Sequence, residues 1–332
     1  MKYRRFGQYS GLHASELILG TSMFGAVNGY GADRNDSLAM LKTYADAGGN
    51  FIDTSDAYQK GGSEKVVGEF LGTGRNNFII SDKFTRSAVD NPAIALLGNN
   101  RKAMVQSVED SLRRLKTDRI DIYMAHLDDG VTGIEEIVRG LDDLVRAGKI
   151  IYGGFSNFPA WKVSAAIGIA DLGRQIKPMA LQIEYNLVQR SADAEILPMA
   201  AHFGMGTMAY SPLAGGLLTG KYRNNETGRI SLMKNRPQWV QDTRTEAILD
   251  ALFTIGKETG YTPGNIALAW MQSKNLFPII GPRAMHHLEE YVRSLGAFLS
   301  GEHVAMLDEI SKIQLPYPQG LLRDFQKILF NI

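Results

Sequence analysis

Eight times along this chain, a short run rich in β-branched and aromatic residues gives way to a longer stretch of helical period. The runs fall at residues 17–20, 50–53, 78–83, 120–126, 150–156, 179–184, 206–210 and 277–281. Helical patterns occupy 37–47, 63–71, 101–115, 134–147, 160–172, 196–203, 245–259 with 263–272, and 286–295. In the third of these, Met104, Val108, Leu112 and Leu115 share one face, and Arg113, Arg114 and Lys116 supply cations at the negative end of the helix dipole. Strands that alternate with helices must pair in parallel, because each return needs a crossover. Eight such units predict a closed (β/α)8 TIM barrel, with an open doubly wound sheet as the alternative.

The 332 residues suffice for one such barrel, and no repeat or Pro- or Ser-rich linker divides them. The chain reads as a single domain, 1–332, with three additions. Residues 1–16 predict a β-hairpin placed to plug the barrel floor. Residues 212–244 form a long polar insertion after the seventh strand. Residues 314–332, with Pro316, Tyr317, Leu321, Leu322, Phe325 and Phe330, are too apolar for a free end and predict a lid over the substrate or a contact with another subunit.

Composition narrows the chemistry. With no cysteine there is no disulfide framework, thiolate metal site or cysteine nucleophile. Thirty-six Lys and Arg against 35 Asp and Glu give a net charge of +1, with no long-range field for nucleic acid or an anionic membrane, so any anion site is local. The basic start, Met1 to Phe6, runs into polar residues instead of an apolar core, and no stretch approaches the ~18 apolar residues of a membrane span. The expectation is a cytoplasmic protein that handles a small molecule.

In such a barrel the reacting groups stand where the strands end. Asp53 ends the second strand, with Tyr58 in its loop; Lys83 ends the third; His126 ends the fourth. Further round the rim come Ser156 and Asn157, Gln182, Tyr210 and Ser211, and Gly281. A Tyr beside a Lys is interpretable chemistry, since an ammonium favours phenolate and draws the phenol pKa down from ~10. A neighbouring Asp keeps the Lys charged, and a His can orient a carbonyl. Together they can protonate an oxygen as hydride reaches carbon. Singly, each has a plain structural role available: Asp53 as a loop cap, Tyr58 as a packed aromatic, Lys83 as a solvated strand end, His126 as an interior imidazole. No Rossmann G-x-G-x-x-G or Tyr-x-x-x-Lys pairing is present, so a nicotinamide would need another site. The segment 210–222 offers one, with its glycines and Lys221 suited to phosphate. Gly215 to Lys221 has P-loop spacing, but Tyr222 stands where a P-loop needs Ser or Thr, which argues against an ATPase. Arg283, before the last helix, is a second candidate anion contact.

These motifs together resemble the aldo-keto reductases. Phe51-Ile-Asp-Thr-Ser-Asp-Ala-Tyr58, Lys83, His126, Gly154-Phe-Ser-Asn157, Gln182-Ile-Glu-Tyr-Asn186 and the 210–222 segment occur in that family's order over roughly residues 3–310. The branch most resembled includes aryl-alcohol dehydrogenase-like enzymes and is related to potassium-channel β subunits. The resemblance implies NADP(H)-dependent, reversible reduction of aldehydes and ketones, with Tyr58 as general acid, Asp53 and Lys83 tuning it, and His126 positioning the carbonyl. It implies that Thr21 and Ser22 approach the nicotinamide ribose, that Ser156, Asn157 and Gln182 hold the carboxamide, and that Tyr210 stacks on the ring. Ser211, Leu213, Gly215, Leu217 and Lys221 would contact the pyrophosphate. At the adenosine end, Gly281, Arg283 and Glu290 are retained in kind, whereas Pro282, His287 and Tyr291 depart from the pattern and leave NAD(H) open as an alternative. Met23, Phe24, Tyr30, Phe84 and Leu127 are candidate substrate-pocket residues. No metal is expected. Rival readings are a Schiff-base aldolase with Lys83 as nucleophile, a metal-dependent sugar isomerase using Asp53, His126 and Glu184, an NAD-linked sugar or alcohol dehydrogenase of the same family, and a nicotinamide-binding redox sensor. Oligomeric state stays open.

Overall fold

The computed structural model describes residues 1–27, 31–224 and 242–330. A two-stranded antiparallel hairpin, β1 (Tyr3–Arg5) and β2 (His13–Ser15), precedes a closed parallel barrel of β3 (Ile18–Gly20), β4 (Phe51–Asp53), β5 (Ile79–Phe84), β6 (Ile120–Ala125), β7 (Ile150–Ser156), β8 (Ala180–Glu184), β9 (Gly206–Tyr210) and β10 (Phe277–Ile280). Each barrel strand pairs with its sequence neighbour, and β10 closes the ring onto β3. The open-sheet alternative is thereby excluded.

The strand period of two sorts the barrel interior into layers. Phe51, Ile79, Ile122, Ala180, Met208 and Phe277 form an apolar inner core near the floor. Two residues further along the same faces stand Asp53, Ser81, Gln182 and Tyr210, so polarity rises toward the mouth. The hairpin caps the floor as expected: Phe6 is fully buried, with ring centroids 5.4 Å from Phe51 and 5.2 Å from Phe277. Gly206 makes room for it, since a Cβ there would lie 2.5 Å from the Phe6 ring.

The helices α1 (Arg34–Asp46), α2 (Gly62–Leu71), α3 (Arg101–Leu115), α4 (Ile134–Arg146), α5 (Ala160–Leu172), α6 (Ile196–His202), α7 (Thr243–Thr259), α8 (Pro263–Ser273) and α9 (Met285–Arg293) surround the barrel. Two start earlier than the sequence periodicity predicts. Asp33 caps α1 by accepting from the Asp36 amide, and Asp242 caps α7 by accepting from the Thr245 amide at 2.7 Å. The last of these helices ends at Arg293 instead of 295, where the chain tightens into a 3-10 turn over Ser294–Gly296. Beyond it lie two helices the sequence analysis does not anticipate, α10 (Gly301–Ile310) and α11 (Gln319–Phe330). Residues 225–241, most of the expected insertion, lie outside the described residues. None of the described helices is long and apolar enough to cross a membrane.

Candidate active site

The mouth of the barrel opens into a cavity of about 1100 Å³. Its chemistry centres on the end of β4. The Asp53 carboxylate accepts from Lys83 Nζ through both oxygens, each at 2.8 Å, from Ser81 Oγ at 2.7 Å and from Gln182 Nε2 at 2.9 Å. Lys83 also donates to the Thr54 carbonyl at 2.6 Å, and its ammonium lies 5.0 Å from the centre of the Tyr58 ring. Lys83 is fully buried behind the wall, while Asp53, Tyr58 and His126 line it. The Tyr58 and His126 rings meet edge to face at 5.8 Å. Tyr58 is placed by a tight loop: the Asp56 amide donates to the Lys83 carbonyl at 3.1 Å, and Gln59 and Lys60 follow with φ of 49° and 55°. The four ionisable residues expected at the rim thus form one cluster.

Burial and charge set their protonation. Burial raises the Tyr58 pKa, and the Lys83 charge pulls against it without prevailing, so the phenol stays above its ordinary value. This corrects the expectation that the ammonium draws the phenol down: desolvating a phenolate outweighs one nearby cation. Tyr58 is therefore a protonated donor at neutral pH. Burial pulls the Lys83 pKa down, but Asp53, Tyr58 and Asp82 outweigh it and leave the ammonium above the ordinary lysine value. A lysine so held is no Schiff-base nucleophile, which removes the aldolase. His126 is pushed down to about 2 by burial and by the Lys83 and Arg86 charges, so it is a neutral imidazole. Its Nδ1 lies 3.1 Å from Ser55 Oγ, which leaves Nε2 unpaired among the described residues. The isomerase fails as well, because both Asp53 oxygens are filled by Lys83 and Glu184 does not line the cavity.

The rest of the wall runs from Ser22 past Asn157, Gln182 and Tyr210 to Ser211, Leu213, Gly215 and Lys221, then to Gly281, Arg283, His287, Glu290 and Tyr291. Asn157, with φ of 56°, receives the Tyr210 hydroxyl on Oδ1 at 2.8 Å and donates to the His126 carbonyl at 2.9 Å. From Ser211 to Gly220 the backbone turns repeatedly through the left-handed region, at Ser211, Ala214, Gly215, Gly216 and Gly220. Such turns form concave backbone nests suited to anions. Lys221 folds back over Gly216. Lys221–Asn224, where a P-loop's helix would begin, is a 3-10 turn. Lys221, Arg283 and His286 also act together on His287, which burial and these neighbours lower to about 4.

Three expected residues stand behind the wall. Thr21 is buried and donates through Oγ1 to the Asp53 carbonyl at 3.0 Å. Ser156 is buried and accepts from Asn157 Nδ2 at 3.0 Å. Leu217 packs in the main core. Of the substrate-pocket candidates, Met23 and Leu127 line the cavity, whereas Phe24 and Phe84 are fully buried packing, Phe84 stacked on Tyr123 at 5.2 Å. Tyr30 lies outside the described residues. Sequence reasoning missed Ser81, which the strand period places on the face of Lys83, and Asn265 and Arg86, which also line the cavity. Asn265 is buried, and its Oδ1 has no hydrogen-bond partner among the described residues.

A nicotinamide dinucleotide fits this wall. Cations and nests gather at one end, the Asn265 acceptor stands unused beside them, and the cluster of Asp53, Tyr58 and His126 occupies the other.

Comparison with known proteins agrees. Residues 16–312 match the model of the aldo/keto reductase family. The chain is 31% identical to the aldo-keto reductase ausK of Aspergillus calidoustus, over 97% of this chain and 85% of that protein. It is 30% identical to the aryl-alcohol dehydrogenase [NADP(+)] of Phanerodontia chrysosporium, over 97% and 89%, and 31% identical to norsolorinic acid reductase of Aspergillus flavus, over 96% and 84%. With the barrel, the mouth cluster and these matches in agreement, the chain belongs to the aldo/keto reductase family and is an oxidoreductase dependent on a nicotinamide cofactor.

Proposed function

We propose that the protein reduces aldehydes and ketones to alcohols with NADPH, reversibly, and that Tyr58 is the general acid. The observation that carries this reading is the buried Asp53–Lys83 pair beneath a protonated Tyr58 and beside a neutral His126. Bound in the cavity, the nicotinamide supplies the hydride. The chain does the rest. Tyr58 gives its proton to the carbonyl oxygen as negative charge develops there, and Lys83, pinned by Asp53, stabilises the phenolate left behind. His126, uncharged, steers the carbonyl by hydrogen bonding without competing for the proton. In the alcohol-oxidising direction Tyr58 is the base and the same ammonium stabilises its reactive form.

Ser22, Asn157, Gln182 and Tyr210 would flank the nicotinamide, backed by Thr21 and Ser156. Ser211, Leu213, Gly215 and Lys221 would hold the phosphates on a turn supported by Leu217. Gly281, Arg283, His287, Glu290 and Tyr291 would receive the adenosine, with Arg283 pairing to a 2′-phosphate. The names of the NADP(+)-linked alcohol dehydrogenase and the acid reductase among its relatives support carbonyl–alcohol exchange with NADP. The cytoplasm is the proposed compartment, in keeping with a chain free of cysteine.

The test is NADPH oxidation with a panel of aldehydes and ketones, wild type against Tyr58→Phe. The variant is expected to lose about 10²–10⁴-fold in kcat while its NADPH dissociation constant holds. Normal turnover by Tyr58→Phe would remove the assignment. Slow single-turnover oxidation in the wild type would point instead to the redox sensor.

A further inference from the structure

Arg86 lines the cavity and so far has no role beyond its charge beside His126. It sits in the loop after β5, at the end of the cavity where Tyr58, His126, Leu127 and Met23 form the wall. No hydrogen bond or ion pair engages its side chain among the described residues. Its charge bears on both reacting groups, opposing a proton on His126 and favouring phenolate at Tyr58.

The loop holds it there against conformational preference. Thr85 and Ser87, on either side, have φ of 101° and 68°. Left-handed backbone is uncommon outside glycine and an outlier for a β-branched residue. Such a conformation persists only where the surroundings over-determine it, which recurs at ligand clamps. Here the surroundings are visible. Thr85 Oγ1 donates to Asn99 Oδ1 and accepts from the His126 amide at 3.1 Å. Asn99, fully buried, donates in turn to the Leu127 carbonyl at 2.8 Å. The bonds that fix the strained turn therefore tie Arg86 to the two cavity residues beside it.

The cavity thus has two cationic ends. Lys221 and Arg283 act on His287 at one, and Arg86 acts on Tyr58 and His126 at the other. We propose that Arg86 selects carbonyl substrates that carry a carboxylate, holding that group with its guanidinium while the carbonyl lies against Tyr58 and His126. This rests on the carbonyl-reduction reading and extends it to a substrate class. One guanidinium matches one carboxylate in charge and in its two-pronged geometry. A phosphate monoester, with about 1.5–2 negative charges, would be left part-neutralised by a single arginine. Met23 and Leu127 provide an apolar flank for the carbon frame between the two ends of such a substrate.

The test compares 4-carboxybenzaldehyde with its methyl ester, which keeps the frame and removes the charge, in the wild type, Arg86→Gln and Arg86→Lys. The wild type is expected to prefer the acid in kcat/KM. Arg86→Gln should lower the acid-to-ester ratio about tenfold, mainly through KM, with Arg86→Lys in between. Added salt should shrink the wild-type ratio, since the pair is exposed. If Arg86→Gln slows acid and ester equally, or the wild type has no preference, the proposal is overturned and Arg86 acts only on Tyr58 and His126. If neither aldehyde turns over, the reductase reading fails, and calorimetric binding of 4-carboxybenzaldehyde to the NADPH-loaded protein decides separately. About tenfold weaker binding in Arg86→Gln sustains carboxylate recognition; equal binding ends it.

Discussion

Behind the mouth, Asp56, Glu64 and Asp82 are buried together, with Arg114 Nε 2.5 Å from Glu64 and the Lys83 charge also acting on Asp82. Burial and the neighbouring carboxyl groups raise both Asp56 and Asp82 above the ordinary carboxylate range. Burial, with Glu64 nearby, raises Asp56 to about 6 against the partial relief offered by Ser107, Ser55 and Arg114. An unfolded Asp titrates near ~3.9, so between the two values the folded chain binds the extra proton. Stability at this group therefore falls as pH rises through about 4 to 6, a loss on the order of 3 kcal/mol that is complete above 6. His126 acts with the opposite sign. Its folded pKa of about 2 means the unfolded chain takes the proton first, and stability falls as pH drops below ~6.5. The difference between Asp56→Asn and the wild type isolates the carboxyl. The variant is expected to be about 1–3 kcal/mol more stable to urea near pH 7.5, with the gain shrinking toward pH 4. A variant less stable at the higher pH would contradict this account of the cluster.

Elements were legible where pattern alone decides them. Helices α3 and α5 begin and end where the apolar period and flanking signals place them, at Arg101–Leu115 and Ala160–Leu172. The starts of α1 and α7 were not, because a capping Asp adds residues that carry no apolar period. The tail shows a different kind of failure. Its apolar content was visible, but its partner was not. In the structure no described residue of the tail lines the large cavity. Pro316, Tyr317, Pro318 and Gln319 instead form a separate cleft of about 430 Å³ with Pro159, Ala160, Ser191 and Ala194 to Ile196, and Gln319 bonds to Glu195. Along α11, Leu321, Leu322, Phe325 and Ile328 remain exposed. The lid expectation is thus corrected, since a lid must touch the space it closes. Removal of residues 316–332 is expected to leave KM for bulky aldehydes within about twofold, as loss of exposed surface rarely costs more than ~0.5 kcal/mol. A severalfold rise in KM would restore the lid.

At the scale of the whole molecule, a charge of +1 gives no field that gathers an anion, so the proposed cofactor site draws on local cations of the cavity wall, Lys221 and Arg283. NADPH is expected to raise Tm as a ligand of the folded state alone, by about 2.7 kcal/mol of stability at a hundredfold excess over its Kd. Arg283→Ala should weaken NADPH more than NADH; an unchanged ratio of their dissociation constants would sink the 2′-phosphate contact. The sequence by itself determined the eight βα units, the hairpin beneath them and the order of polar residues at the strand ends, because period, turn chemistry and strand termini are local properties. Only the tertiary structure decided that Lys83 and Gln182 both bond to Asp53, that Thr21, Ser156 and Leu217 stand behind the wall, and that Arg86 lines the same cavity as Tyr58 and His126. It alone also decided that Tyr58 stays protonated and His126 stays neutral. The reason is physical: these residues lie far apart along the chain, and the desolvation that sets their protonation exists only once the barrel has closed around them.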